Sequence, residues 1–193
     1  MGIVVAVKKE GIVYLCSDTR RGCSLLDGNQ LIESNLSIKK LENGVIVGSS
    51  GSEEIVQKVL YNPRMLNILN CENITKEYLL RNFIPRIIDV LDEAGLYSQS
   101  KETLDLLKIN LIVAQGGKAF YINQSFQVLE IQKYVAIGTA REFCYSDLVN
   151  LDYSKDINEQ LLNAMKLSSK YSSSVCDPYC FINTKSLEFE FKE

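Results

Sequence analysis

Two nearly continuous apolar runs open the chain: residues 3–8 (Ile-Val-Val-Ala-Val-Lys) and 12–18 (Ile-Val-Tyr-Leu-Cys-Ser-Asp), separated by Lys9-Glu10-Gly11. β-Branched runs around a short glycine-containing turn predict a hairpin. Because apolar residues fill successive positions rather than alternate ones, both faces of that sheet are expected to be covered. Residues 19–33 are mixed, carry Gly22 and Gly28, and predict a loop with a short strand. Strands over 36–41 and 45–48 follow, turned at Glu42-Asn43-Gly44. The period then lengthens. Ser52 stands where it can cap a helix whose first turn holds Glu53 and Glu54 and whose apolar side carries Ile55, Val56, Val59 and Leu60. Pro63 predicts a break or kink. A second helix is predicted from about Thr75 to Ala94, with Leu79, Phe83, Ile87 and Leu91 on one face, a kink at Pro85 and a stop at Gly95.

A second block of strands is expected over 107–115, 118–123, 127–131 and 134–137, with Gly116-Gly117 as one turn. Two more helices follow. One covers about 140–150, and the other starts at Asp156, with Glu159 three residues on in a capping-box arrangement, and carries Leu161, Leu162, Met165 and Tyr171. The chain closes with a strand at 179–183 and the alternating Leu187-Glu-Phe-Glu-Phe191, which reads as an edge strand. Helices thus arrive in pairs rather than singly between strands, which disfavours a parallel doubly wound sheet. The pattern supports an α+β fold: a four-layer αββα sandwich of two stacked antiparallel sheets, each flanked by a helix pair. No internal repeat, linker or low-complexity tract interrupts it, so residues 1–193 are expected to form one domain.

Composition narrows the function. Of 193 residues, 46% are hydrophobic and 23% charged, and 21 Lys+Arg stand against 24 Asp+Glu for a net charge of -3. The basic pairs Lys8-Lys9, Arg20-Arg21 and Lys39-Lys40 are too short for a nucleic-acid surface. No apolar run reaches the roughly 20 residues that a bilayer requires. The start lacks a basic leader, and Ala6 breaks the myristoylation pattern, so a cytoplasmic protein is expected. There is no histidine. A Ser-His-Asp triad, a Cys-His dyad and a His-ligated metal are therefore excluded, leaving a carboxylate, lysine, tyrosine or the chain's amino terminus as general base. The six cysteines, Cys16, Cys23, Cys71, Cys144, Cys176 and Cys180, form no CxxC pair and are expected to be reduced and mostly buried. Cys176 and Cys180 alone supply too few ligands for a metal, and no cofactor is expected.

The ordered set Ile3-Val-Val-Ala-Val-Lys-Lys-Glu-Gly, Asp18-Thr19-Arg20, Ile38-Lys-Lys-Leu41, Val45-Ile-Val-Gly-Ser-Ser-Gly51, Ala136-Ile-Gly-Thr139 and Cys176-Asp177 resembles the proteasome β-subunits and the peptidase subunit of the bacterial ATP-dependent ring protease. The resemblance covers nearly the whole chain. It implies the N-terminal-nucleophile hydrolase fold, usually assembled into rings. It also implies a threonine, serine or cysteine at the mature amino terminus that attacks an amide carbonyl. The terminal α-amine takes the proton, helped by a lysine and an aspartate, and backbone N–H groups hold the oxyanion.

Carried onto this sequence, the pattern is incomplete. Gly2 stands at the nucleophile position once Met1 is trimmed, and glycine has nothing to attack with. Ser37 stands at the lysine, leaving Lys39 or Lys40 as the only shifted substitutes. Asp18 matches the aspartate, Thr139 the residue that supports the amine, and Asp177 its carboxylate partner. Ser49, Ser50 and Gly51 match the turn that donates to the oxyanion. Each survivor also has a plain structural role: Asp18 as a strand-end cap or partner of Arg20, the serine turn as a helix cap, Thr139 and Asp177 as cap and turn residues. Cys16 and Cys23 are the alternative nucleophiles. Cys16 lies two residues before Asp18 and so on the same strand face, where a carboxylate raises a thiol's pKa; its plain role is that of a small buried hydrophobe. The resulting expectation is a threonine-endopeptidase homologue that is inactive by the N-terminal route. Such a chain would serve as a structural or binding subunit of a homo-oligomeric ring, with an ATPase or other partner subunit. The alternative is a peptidase or amidohydrolase with a displaced nucleophile.

Overall fold

The computed structural model describes residues 2–19, 37–96 and 109–193. The expected loop and short strand before residue 34 fall almost wholly outside them, as do Arg20 and Cys23. The hairpin forms as β1 (Ile3–Lys9) and β2 (Ile12–Asp18), antiparallel with Val4 opposite Ser17 and Lys9 opposite Ile12. With β8 (Tyr134–Gly138), β9 (Tyr179–Asn183) and β10 (Glu190–Lys192) they make one five-stranded sheet in the order β10-β9-β2-β1-β8. The second sheet runs β3-β4-β5-β6-β7, from β3 (Ile38–Lys40), β4 (Ile46–Gly51), β5 (Ile109–Gln115), β6 (Lys118–Ile122) and β7 (Val128–Glu130). Every strand pairing in both sheets is antiparallel.

The alternation of side chains along β1 explains the layering. Val4 and Ala6 join Val13, Leu15, Ile38, Ile46, Ile112 and Ala114 between the two sheets. Ile3, Val5 and Val7 point the other way, onto Cys144, Leu148, Leu161 and Met165 of α5 (Arg141–Val149) and α6 (Ile157–Tyr171). The outer face of the second sheet, with Val45, Val47, Leu111 and Val113, is covered by α1 (Glu53–Leu60), α2 (Pro63–Leu69) and α4 (Ile84–Glu93). The result is the four-layer αββα sandwich. Both faces of each central sheet are buried, which is why β1 reads as continuously apolar. No helix among the described residues is long and apolar enough to cross a membrane.

Several elements differ from the sequence reading. The break expected at Pro63 falls between α1 and α2, and Pro63 itself starts the new helix, with Asn62 as N-cap accepting from the Arg64 N–H at 2.9 Å. Proline is pre-organised for the first helical position, where its missing N–H costs nothing. Pro85 sits in α4 just after a π turn (Leu79–Phe83) that follows α3 (Lys76–Tyr78). The Ile84 N–H reaches back to Leu79 O, so the chain widens by one residue where proline would otherwise press on the preceding turn. Leu79, Phe83, Ile87 and Leu91 are all buried as expected. Ser52 occupies the N-cap position of α1 but its side chain makes no capping bond. Asp156 caps α6 by accepting from the Glu159 N–H at 2.8 Å. Tyr171 is exposed and stacks on Phe143 rather than joining the core. The last strand is shorter than predicted because Leu187 adopts a positive φ of 56° in a turn onto Asn183, and β10 begins only at Glu190. It does form a sheet edge.

Candidate functional site

The register of β1 against β2 brings the start of the first strand alongside the end of the second. Asp18 closes β2 and is 1% exposed, and its Oδ1 accepts from the Ile3 N–H at 2.7 Å. The carboxylate thereby lies across the residue before Ile3. A Cβ placed on Gly2 would overlap both carboxylate oxygens of Asp18. Thus Gly2 does more than lack a nucleophile: the volume its side chain would need is already filled by the aspartate. The plain role foreseen for Asp18, a strand-end cap, is realised through the Ile3 amide.

Ser37 meets Gly2 from the second sheet. Its carbonyl accepts from the Ser49 N–H at 2.8 Å and from Ser49 Oγ at 3.3 Å. Gly2, Ser37, Ser49, Ser50 and Gly51 line one recess of about 30 Å³, room for about one water molecule. Glu53 of α1 borders it. The sequence reading placed Ser49, Ser50 and Gly51 in a turn; they instead continue β4, opposite Leu111, Asn110 and Ile109 of β5. The Ser49 N–H is already committed to Ser37, so it is not a donor for a substrate oxyanion.

Neither candidate lysine reaches the recess. Lys39 Nζ donates to Leu60 O at 2.9 Å and lies 4.0 Å from the centre of the Tyr61 ring, and partial burial pulls its pKa below the usual lysine value. Lys40 Nζ donates to Leu187 O at 2.9 Å. Both are tied away from Gly2, and no lysine lines the recess among the described residues. Thr139 lies next door rather than in the recess. Its hydroxyl shares a hydrogen bond of 3.0 Å with Ser174, which shares another of 2.7 Å with Ser172. The segment that carries Asp177 therefore reaches Thr139 through Ser174, while Asp177 itself is exposed.

Cys16 is 0% exposed and packs under α5 and α6. Burial pushes its thiol well above the ordinary value, and Cys144, Cys180 and Asp18 add to that in decreasing order. A thiol that is both inaccessible and held protonated does not present a nucleophile. Cys144 and Cys180 are pushed up to about 11 and about 12, again chiefly by burial. Cys23 lies outside the described residues. Among the described residues no group of three or more His, Cys, Asp or Glu side chains is placed to hold a metal ion.

Sequence reasoning missed a second, larger opening. A cleft of about 420 Å³ shares Ser50 and Gly51 with the recess and is lined further by Asn110, Gln124, Thr139, Arg141 and Glu142. One signal was available. Asn110 interrupts the otherwise apolar run of β5, and a polar residue in a buried strand needs a reason to be there.

These features define a class of architecture before any particular relative is considered: the αββα sandwich of N-terminal-nucleophile hydrolases of the proteasome type, with the first strand's start at the site. Solved structures agree. The fold superimposes on Anbu (ancestral beta-subunit) from Yersinia bercovieri with a TM-score of 0.71 at 15% identity, covering 98% of this chain and 86% of that one. For BPH from Thiobacillus denitrificans the TM-score is 0.74 at 13% identity, over 96% of this chain and 98% of that one. For HslV from Trypanosoma brucei it is 0.63 at 16% identity, over 94% and 98%. These neighbours are proteasome-type subunits. At such identities the likeness is one of fold. No protein-family profile and no curated protein matches the sequence.

Proposed function

We propose that this chain is a single proteasome-like domain that does not cleave peptides by the N-terminal-nucleophile route and acts as a structural or binding subunit of a homo-oligomeric ring in the cytoplasm. One observation carries the reading: the Asp18 carboxylate, anchored on the Ile3 amide, occupies the space a nucleophilic side chain at residue 2 would fill. The chemistry needs a hydroxyl or thiol on that residue and a cation to ease loss of its proton. Here the first has no room and the second, Ser37, carries no charge. The ring assignment is supported by the likeness to proteasome-type subunits.

The test is direct. Purified protein is incubated with a panel of fluorogenic peptide amides, in parallel with size-exclusion chromatography coupled to light scattering. The expected result is background turnover from a species several times the mass of one chain. Turnover that co-elutes with the protein and survives repurification would overturn the non-catalytic assignment, and a monomer would overturn the ring.

A further inference from the structure

The larger cleft gathers hydrogen-bond donors from Asn110, Gln124 and Arg141. Asn110 is 7% exposed, and its Oδ1 accepts from the Tyr121 hydroxyl at 2.9 Å. That bond fixes the carboxamide and leaves Nδ2, which has no acceptor among the described residues, to the cleft that Asn110 lines. With its Oδ1 held by Tyr121, the carboxamide is fixed in one orientation, so its N–H groups are pre-positioned to donate to a ligand in the cleft. Gln124 and Arg141 line the same cleft, and neither makes a hydrogen bond or ion pair among the described residues. Arg141 is the first residue of α5, and the N-cap Ala140 has no side chain to satisfy the helix's leading amides. Thr139 adds a hydroxyl at the rim.

Donors therefore converge from three elements: β5, the segment after β6, and the start of α5. Their ligand must be rich in acceptors. Its charge is limited by Glu142, whose carboxylate lines the same wall. A dianion suffers about twice the repulsion from Glu142 that a monoanion does, while a single planar carboxylate suits the fork of a guanidinium. The cleft's volume of about 420 Å³ lies in the range of ligand sites and exceeds what a small inorganic anion fills. It opens through Ser50 and Gly51 towards Gly2.

We propose that this cleft binds the carboxylate of a peptide, supplied by a chain terminus or by a Glu or Asp side chain, between Asn110 Nδ2, Gln124 and Arg141. The inference rests on reading the chain as a binding subunit. Glu142 then acts as a selectivity element that disfavours more highly charged groups.

Isotope-labelled full-length protein is titrated by NMR with two pairs of acetylated tripeptides. Ala-Ala-Ala as free acid is compared with its C-terminal amide, and amidated Ala-Glu-Ala with amidated Ala-Gln-Ala. In at least one pair the acid is expected to shift the side-chain amide resonances of Asn110 and Gln124 and to bind about tenfold or more tightly than its neutral twin. The discriminating pair identifies the source of the carboxylate. Arg141→Gln and Asn110→Asp, the latter keeping an acceptor for Tyr121, are expected to weaken the acid about tenfold, and Glu142→Gln to strengthen it. Equal binding of both twins in both pairs, no binding at all, indifference to Arg141→Gln, or tighter binding of inorganic phosphate would each overturn the proposal. Mass spectrometry of the recovered peptide separates the two readings. Cleaved peptide contradicts the non-catalytic assignment, while the preference for acid over amide is still read from the dissociation constants.

Discussion

The molecule carries two adjoining openings that differ in almost every physical respect. The recess at Gly2 holds about 30 Å³, and its polar groups are largely spent on one another: Asp18 on Ile3, Ser37 on Ser49. The cleft beyond Ser50 and Gly51 holds about 420 Å³ and gathers the donors of Asn110, Gln124 and Arg141. Reaction chemistry needs an exposed, activated atom; recognition needs unsatisfied but orderly polar groups. On the proposed reading, the recess is closed to the first and the cleft is open to the second. The difference between them, on the proposed reading, is that one opening has its space filled by Asp18 while the other keeps room and donors for a ligand.

Gly138 is the shared wall, and substituting it should give the largest effect. It lines the cleft, adopts a φ of 111°, and a Cβ there would overlap the Gly2 carbonyl oxygen. Gly138→Val is expected to cost about 3 kcal/mol or more, from backbone strain and from overpacking against β1. Urea denaturation followed by circular dichroism measures it. A cost below about 1 kcal/mol would mean that the two openings are not rigidly joined.

Gly2→Thr tests whether the recess is sealed. The new side chain must displace the Asp18 carboxylate and break its bond to Ile3, at an expected cost of about 1–3 kcal/mol, with peptide-amide turnover unchanged from background. Asp18→Ala alone should also destabilise by about 1–3 kcal/mol, because the buried Ile3 N–H loses its acceptor. Combined, the two should cost clearly less than their sum, since alanine makes room for threonine. Strict additivity would show that Asp18 does not fill the place of the missing side chain.

How much of this was readable beforehand depends on whether an interaction is local. The β1–β2 hairpin, the Asp156 cap and the apolar face from Leu79 to Leu91 follow from runs and spacings within one segment, and all formed. Pro63 and Pro85 show the limit. The same residue begins a helix where Asn62 precedes it and sits behind a π turn where Leu79–Phe83 can widen. That Gly2 carries no side-chain nucleophile and Ser37 no charge was legible position by position. That Asp18 reaches into the space beside Gly2 was not, because it depends on the register that sets Val4 opposite Ser17. Nor was the cleft: Asn110, Gln124 and Arg141 come from separate stretches of chain, and only Asn110 carried a local sign.

The thiols offer a pH-dependent view of the cleft's support. Cys144 belongs to the first turn of α5 and is buried, with its sulfur 3.0 Å from Ser168 Oγ of α6. Exposed in the unfolded chain it would titrate near 9.0, whereas burial in the fold pushes it up to about 11. Between those values the unfolded chain holds fewer protons than the native one. Stability is therefore complete below pH 9.0 and declines as the pH rises towards about 11. The expected loss from Cys144 is of order 2 kcal/mol. Urea midpoints across that range should fall in the native protein and fall less in Cys144→Ala. If the slope is unchanged in the variant, other groups, Cys180 among them, govern the alkaline limit.

The smallest expected effect concerns the open edge beside the cleft. β8 ends its sheet, and the Tyr145 hydroxyl covers that edge, accepting from the Ala136 N–H at 3.3 Å and donating to Ala136 O at 3.4 Å. Both bonds are long, and water can replace them at an edge, so Tyr145→Phe is expected to cost about 0.5 kcal/mol in thermal or urea unfolding. Its larger consequence would be on association. An edge strand stripped of its cover presents unpaired backbone groups to another chain. Light scattering of Tyr145→Phe should then show added, concentration-dependent species beyond those of the native protein, while the donor-lined cleft keeps its ligand preference. If association is unchanged and ligand binding falls instead, the hydroxyl serves to position α5 against β8 and so belongs to the cleft rather than to the edge.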